Sequence, residues 1–596
     1  MERVGIGDVT LPGTRKGVPL RSKFALDPVM PEQDFAYLKP RPGWQDPIVI
    51  AGAGPVGMSA ALGLAHYGVP CVMLDDGEGP AIEGSRAIFM ERHALEILGA
   101  WSPVGRQMAE KGMTLTGGRV FFRKTELYKT LTAPAEPDTR YPRFVNVPQN
   151  VLEHWQYEAL KAMECCEVRW QHEVLGIAQS DDGVCLEYVS PNGPGSIHAP
   201  YVLAADGPRS TLRHLLKLDF PGESRDHHFL ILDVRMQLET PRERWFWFDP
   251  PFNPGRTALL HPQPDGIYRL DYQLPPDEDL VAAREPDSIH RRVIAIVGER
   301  PYEVVWKSIY TYQQRALERF KHGRVLFLGD AAHLMSPFGG RGLNSGIQDA
   351  WNVVWKLVLV RAGLAPETLL DSYHDERHAA ALENLRLTDD TMRFLAPSPG
   401  FARWRRDTIL RLSLPFKFMR QYVNAGHMSN PFTYRDSPII SEDKQSVPAR
   451  DVPKERRAVL QRFQQGPVAG ALAPVIILTD ASNNQPVSLL DRFGHGFVVL
   501  YFCSDADAGL PALCKVRADL PDVPVALYLI VPKPPTTPST DVVCVLLDGE
   551  GKGASAYNAG SRTLYLVRPD RHIAARRFEC DLSKLSVLLR RAIGEE

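Results

Sequence analysis

The sequence predicts an α/β chain: a parallel nucleotide-binding core, an antiparallel sheet inserted into it, and a second, small α/β unit near the C-terminus. Three observations predict this. A strand–glycine loop–helix–strand unit, DPIVIAGAGPVGMSAALGLAHYGVPCVMLDDG, begins at Asp46. Two later buried-type strands each run into an acid–glycine pair, at Asp206-Gly207 and Gly329-Asp330. Between them, part of the 229–274 stretch alternates apolar and polar residues with the period of a strand.

Size and composition fit several domains. The chain has 596 residues, against a prior of roughly 150 per domain. Its 44% hydrophobic and 23% charged content is that of a globular protein. A formal net charge of −2 argues against a general nucleic-acid binder. No window approaches the ~18 apolar residues of a membrane span, and residues 1–17 lack the apolar core of a secretory signal. The eight cysteines are scattered without a CxxC pair, so reduced thiols and a cytoplasmic location are expected, with no metal site.

Residues 1–45 read as an N-terminal surface arm. Next, Ile48 to Ala51 form a strand, Gly52-Ala53-Gly54-Pro55-Val56-Gly57 fits GxGxxG, and Met58 to Tyr67 fits a helix. Cys71 to Leu74 then run to Asp75, eighteen residues after Gly57. This is the complete dinucleotide fingerprint. Gly52 allows the tight turn, Gly54 lets the backbone approach a pyrophosphate, and Gly57 lets the helix pack on the strand. The helix N-terminus offers free N–H groups and positive dipole, and Asp75 is placed to accept from a ribose, which suits FAD or NAD(H). Arg86, in Gly84-Ser85-Arg86-Ala87, is either a solvated loop charge or a cation at that pyrophosphate.

Further along, an amphipathic helix covers Val151 to Met163, and Tyr201 to Ala205 lead into Asp206. In Gly266 to Leu274, Tyr268, Leu270, Tyr272 and Leu274 share one face; Ile267, Arg269, Asp271 and Gln273 share the other. The second face is either solvated or the ceiling of a binding cavity. Val325 to Leu328 reach Gly329-Asp330, a glycine-rich loop follows, and an apolar helix is expected from near Asp349. A long helix covers roughly 366–394, and Arg-rich helices wrap the surface over 396–465. From 466 to 596 the apolar strands Phe497–Phe502, Val525–Ile530 and Val542–Leu547, a hairpin across Arg568-Pro569-Asp570-Arg571, and a closing helix describe a separate small domain.

In order, the chain carries GxGxxG with its acid, DGxxSxLR at 206–213, and GDAAHxxxPxxGxGxNxGxxD at 329–349. Over residues 46–395 it resembles the flavin-dependent aromatic hydroxylases, the para-hydroxybenzoate and phenol hydroxylase family. That resemblance implies a Rossmann-like (GR2-type) FAD-binding domain (46–228 and 305–395, with part of the substrate domain inside 114–200) and a substrate-domain sheet at 229–304. It also implies that residues 466–596 are a thioredoxin-like domain, here without CxxC, since Cys503 is followed by Ser504, Asp505 and Ala506.

The resemblance also implies roles. Gly52, Ala53, Gly54, Pro55, Val56, Gly57 and Asp75 would hold the ADP half of FAD, with Arg86 and Gln149 at its middle. Asp206 would serve FAD and the nicotinamide co-substrate, and Asp330 the ribityl chain. Pro337 would line the reaction side of the flavin. Gly340, Gly342, Leu343 and Asn344 would meet its pyrimidine edge, beside Arg341. NADH or NADPH would reduce FAD, reduced flavin would capture O2 as a C4a-hydroperoxide, and a phenolic ring would be hydroxylated. The acid/base residues of the phenol hydroxylase branch fall on Ile88, Gln263 and Asp271 and are not kept. Asp271 is then a base, a ligand for a cationic substrate group, or a plain strand carboxylate. Arg269 binds a carboxylate or pairs with Asp271. Alternatives are a same-fold monooxygenase or epoxidase acting on a larger polycyclic substrate, and a non-catalytic flavin-binding protein. A homodimer is compatible with all three.

Overall fold

The computed structural model describes residues 46–81, 86–132, 138–238, 242–424, 431–441, 454–536 and 542–596. The expected N-terminal arm, Gly84 and Ser85 lie outside these.

The nucleotide-binding core is a six-stranded sheet in the order Lys321–His322, Val325–Phe327, Val202–Ala204, Ile48–Ala51, Cys71–Asp75, Cys166–Trp170. All pairs are parallel except the outermost one at Lys321–His322. Its strands are short apolar runs, buried on both faces as a parallel sheet requires. Parallel order has a functional consequence. The three motif-bearing strands are neighbours and end at the same edge, so the 52–57 loop, Asp75, Asp206 and Gly329-Asp330 emerge together. Ligands of open α/β sheets bind at that carboxyl edge.

The inserted sheet has eight strands, in the order His333–Leu334, Tyr302–Ala316, Gly222–Met236, Ile267–Gln273, Thr257–Pro262, Glu243–Phe248, Gly117–Phe122, Thr125–Leu131. It takes in the 229–304 stretch, two strands at 117–131 inside the 114–200 segment assigned in part to the same domain, and long strands that cross both boundaries of 229–304. One pair, Glu243–Phe248 with Gly117–Phe122, is parallel. The outer face, with Leu230, Leu260, Leu270 and Tyr272, packs under the helix Pro286–Val297. The inner face turns towards the nucleotide core.

Two boundaries differ from expectation. The helix after the glycine-rich loop starts at Arg341 rather than near Asp349 and runs to Arg361. Its first turns, Gly-Leu-Asn-Ser-Gly, have poor intrinsic propensity, yet tertiary packing holds them. A Cβ on Gly346 would sit 2.4 Å from Val56 Cγ2, so the absence of a side chain lets this helix lie against the fingerprint helix Pro55–His66. The helix expected over 366–394 is a short 3₁₀ turn, Glu367–Leu370, and then Asp371–Leu395.

The C-terminal unit is a seven-stranded mixed sheet. Phe497–Phe502 and Val525–Val531 form a parallel pair joined by the helix Ala506–Arg517. Thr563–Val567 and Ile573–Arg577 add an antiparallel hairpin beside Phe497–Phe502. This unit is fused to the core rather than appended. Trp355, Leu359 and Leu369 of the core share one hydrophobic cluster with Phe497, Val499 and Leu566. The expected hairpin turn is buried, with Arg568 fully inaccessible and Asp570 1% exposed. Arg568 donates to both Glu376 oxygens and pairs with Asp570, and Lys356 Nζ lies 2.8 Å from Glu376 Oε2.

Candidate FAD and substrate site

The fingerprint loop is locked from beneath. Gly52 has φ +96° and an added Cβ would stand 2.4 Å from the Ala205 carbonyl oxygen. A Cβ on Gly57 would lie 2.1 Å from the Gly52 oxygen. Both positions are glycine because protein backbone fills the space. Gly54 differs: its φ is −73°, it caps the helix Pro55–His66, and nothing lies within 4 Å of a Cβ built there. Neither strain nor packing demands glycine at this position, so the open space is a cradle for a ligand at a helix N-terminus. Ala53 N–H donates to Asp75 Oδ2 at 2.6 Å, and Gly77 N–H donates to Oδ1 at 2.8 Å. The acid thus braces the loop. Pro55 and Val56 open the helix: the Pro55 carbonyl accepts from Gln156 Nε2 at 3.0 Å, and Val56 wedges between Gly329 and Gly346.

The far end of the cleft has the same logic. Gly340 is left-handed (φ 64°), and a Cβ on it would strike Phe89 at 2.7 Å. Gly342 is helical and has nothing within 4 Å of an added Cβ. The helix start leaves the Gly342 and Leu343 N–H groups without intrahelical partners. Asn344 is corrected: as the fourth helical residue it spends its N–H closing the first turn. Its side chain instead stitches the helix to the Phe89–Glu91 strand, donating to the Phe89 carbonyl at 2.9 Å and accepting from Glu91 N–H at 3.0 Å. Arg341 donates to Asn384 Oδ1 at 2.8 Å.

Between these ends stand the acids. Burial raises the Asp330 carboxyl above its usual range, against the opposing charges of His333 and Arg86. Arg86 is exposed in the cleft wall, and its charge reaches Glu153 as well. Gln149 bridges two protein groups, accepting from Ala87 N–H at 3.1 Å and donating to Glu153 at 2.8 Å. Burial also raises Asp206; its Oδ2 accepts from Leu212 N–H at 3.0 Å, while buried Oδ1 has no partner. Two open glycine positions at helix N-termini and the unpartnered Asp206 Oδ1 between them fit an extended dinucleotide such as FAD. The Gly329 turn is held from behind by Asp349. That carboxylate accepts from Gly329 N–H at 3.0 Å and lies 2.8 Å from His333 Nε2 and 2.7 Å from Arg377 Nε.

The inserted sheet forms the ceiling. Its inner face is not solvated: Arg269 is 3% exposed, and the Asp271 side chain 14%. Of the two alternatives for Arg269, a carboxylate or pairing with Asp271, the structure shows a carboxylate of the protein itself. Cross-strand register places Asp233 opposite Arg269, and the two form a bidentate pair with both contacts at 2.8 Å. Gln263 also donates to Asp233, at 3.0 Å, and Arg269 Nη1 donates to the Arg86 carbonyl at 3.0 Å, which ties the ceiling to the cleft wall. Ile88 is buried beside that wall. Asp271 faces His261 instead, with Oδ2 3.3 Å from Nε2. Burial lowers the His261 imidazole, with the Asp271 carboxylate opposing. Arg244 acts electrostatically on both. His261, Arg244 and Asp233 were not singled out from sequence; alternation assigns a residue to a face but not to a cross-strand partner. Opposite this face, Pro337 is exposed at the start of the turn to Gly340, and Phe338 packs edge-on to Phe229 of the ceiling at 4.8 Å.

Comparison with known proteins agrees with this geometry. A family model described as FAD binding domain matches residues 45–388. The 3-(3-hydroxy-phenyl)propionate/3-hydroxycinnamic acid hydroxylase of Mycolicibacterium smegmatis is 27% identical, over 89% of this chain and 90% of its own. The 12-dehydrotetracycline 5-monooxygenase/anhydrotetracycline 6-monooxygenase of Streptomyces rimosus is 32% identical, over 66% of this chain and 81% of its own. Among solved structures, the flavin-dependent monooxygenase PieE in complex with FAD and substrate superposes with a TM-score of 0.76 at 21% identity, covering 92% of this chain and 99% of that one. With a family match over more than half its length, the chain belongs to the FAD-binding-domain family of flavin-dependent aromatic hydroxylases and is an FAD-dependent monooxygenase.

Proposed function

We propose that this enzyme uses NAD(P)H and O2 to hydroxylate a phenolic ring held between the inner face of the inserted sheet and the Pro337–Gly342 loop. His261 and Asp271 act together as the base. The observation that carries this is the His261–Asp271 pair, 3.3 Å apart on a buried sheet face turned towards the cofactor cleft. Bound FAD supplies the redox chemistry: it takes two electrons from NAD(P)H and activates O2, so that one oxygen atom enters the ring and the other leaves as water.

The chain's own residues do the rest. Gly52 to Gly57, Asp75, Arg86, Asp206 and Asp330 bind the cofactor, and the Gly342 and Leu343 N–H groups meet its ring edge. Asp271 fixes the imidazole tautomer with the proton on Nε2, which leaves the Nδ1 lone pair of His261 to take a phenol proton. Because burial keeps His261 neutral, the base is ready at neutral pH. Arg269, with its charge matched by Asp233, positions the ceiling rather than binding substrate. Phe229, Phe246, Leu259 and Phe338 make the enclosure apolar and exclude water. We read the C-terminal unit as thioredoxin-like from its strand–helix–strand pair and following hairpin, and assign it a structural role.

The test is a panel of phenolic compounds headed by 3-(3-hydroxyphenyl)propionate, after the mycobacterial relative, with polycyclic phenols included for the Streptomyces one. NAD(P)H oxidation is followed and products are identified by mass. A product one oxygen heavier than a panel member is expected. Substrate-stimulated NAD(P)H oxidation that yields only hydrogen peroxide across the panel would reject the reading.

A further inference from the structure

The inner face of the inserted sheet carries a second arginine whose charge is not matched as that of Arg269 is. Arg244 lies in the strand Glu243–Phe248. Trp247, on the alternate face, belongs to the outer core, whereas Phe246 and Phe248 belong to the inner one. Arg244 therefore points inward. Its guanidinium carbon stands 4.5 Å from the Phe246 ring, and Phe246 in turn meets His261 edge-on at 6.3 Å.

The hydrogen bonding of this face is uneven, although the Asp271 carboxylate acts on Arg244 through its charge. Asp233 is matched by Arg269 through two hydrogen bonds. Asp271 is engaged by His261. Among the described residues, no hydrogen bond or ion pair within 4 Å reaches the Arg244 guanidinium, although it is shielded from water enough for burial to lower it to about 10. A desolvated guanidinium with an unused donor fork is costly unless a ligand completes it. The fork matches planar anions with two oxygens, which it binds through two parallel hydrogen bonds. The apolar floor of Phe246 and Leu259 beside it suits an aromatic body, not an inorganic ion.

We infer that Arg244 is the specificity-determining residue of the substrate site, and that the substrate carries a planar two-oxygen anion, a carboxylate or an enolised 1,3-dicarbonyl, in addition to the hydroxyl served by His261. This rests on the reading of the site as one for phenolic-ring hydroxylation. In that arrangement His261 takes the hydroxyl proton while Arg244 fixes the opposite end of the molecule, so the ring is held by two charged points rather than by shape alone.

The experiment titrates the FAD-loaded enzyme and its Arg244→Gln and Arg244→Lys variants, following the perturbation of the flavin spectrum. The ligands are 3-(3-hydroxyphenyl)propionate, its primary amide, and a phenol bearing an enolised cyclic 1,3-diketone. The wild type should bind at least one anion about 30-fold or more tighter than the amide. Arg244→Gln should abolish that preference with FAD content unchanged, and Arg244→Lys should keep part of it. Preference confined to the carboxylate or to the diketone identifies the source of the anion. Equal binding of anion and amide by the wild type, failure of any of the three to bind, or a preference that survives in Arg244→Gln overturns the inference. Product mass separates it from the wider reading. Hydroxylation of the amide as readily as of either anion sinks the role of Arg244 and leaves the hydroxylase standing. Anion preference without any oxygenated product does the reverse.

Discussion

Removing His261 should hand the ionisation of the substrate over to bulk solvent. A simple phenol with an ordinary hydroxyl pKa of about 10 is ionised to roughly one part in a thousand at pH 7, a deficit of about 4 kcal/mol. In the proposed mechanism that proton passes to a neutral imidazole oriented by the Asp271 carboxylate 3.3 Å away. In His261→Ala only the fraction already ionised reacts. The specific rate kcat/KM at pH 7 should then fall by about 10²–10³, within the range for general-base catalysis. The loss should shrink by about tenfold for each unit of pH and nearly vanish near the pKa of the phenol. A nitrophenol, ionised at pH 7, should lose less than about threefold. The assay is initial-rate NAD(P)H oxidation with product quantified, across about three pH units, on preparations of equal FAD content. A loss that does not vary with pH, or that is as large for the nitrophenol, would refute a role for His261 in taking the hydroxyl proton.

The two kinds of glycine in the cleft should behave oppositely. Gly54→Ala adds a methyl group to open space and should leave apoprotein stability within about 0.5 kcal/mol while weakening FAD binding. Gly57→Ala collides with the Gly52 carbonyl and should destabilise the apoprotein itself, which denaturant unfolding would report. Asp330→Ala should weaken FAD retention by about 1.5–3 kcal/mol, the value of a hydrogen bond to a charged group. Because burial holds that carboxyl above its usual range, Asp330→Asn should not destabilise the apoprotein at neutral pH; equilibrium dialysis and urea unfolding test the two halves. Acid should loosen the contact between the C-terminal unit and the core. Burial opposes ionisation of Glu96, but the Arg571 charge brings it down to about 2. A depressed carboxyl stabilises the fold above its unfolded value of about 4.3 and loses that contribution as pH falls through about 2, up to ~3 kcal/mol in all. Glu96→Gln should flatten this limb of the stability curve.

Most of the cofactor site was legible because its signals are local. The Ile48–Ala51 strand, the glycine loop and Asp75 lie within thirty residues and carry their own turn and helix-cap chemistry. The start of the helix at Arg341 was not legible. Gly-Leu-Asn-Ser-Gly reads as a loop until Gly346 is seen to admit Val56. The ceiling was half legible. Period-two alternation put Arg269 and Asp271 on one face, as observed, but their partners, Asp233 and His261, come from neighbouring strands, and only register supplies them. The hairpin across Arg568-Pro569-Asp570-Arg571 was legible, but its burial was not. Its composition is that of an exposed turn, and its burial follows from carboxylates on two helices of the core, Glu376 almost two hundred and Glu96 almost five hundred residues earlier.

That buried turn bears on how the protein is made. Glu376 and Lys356 lie on helices of the cofactor domain, and Glu376 takes its principal counter-charge from Arg568. During synthesis those two side chains leave the ribosome long before Arg568 exists. The helices carrying them, one of which holds Gly342 in its first turn, lack that counter-charge until nearly the whole chain has emerged. Cofactor loading is therefore expected to be a late, post-translational event. A nascent chain stalled before Arg568 should be unable to retain flavin even though it carries every residue that faces it.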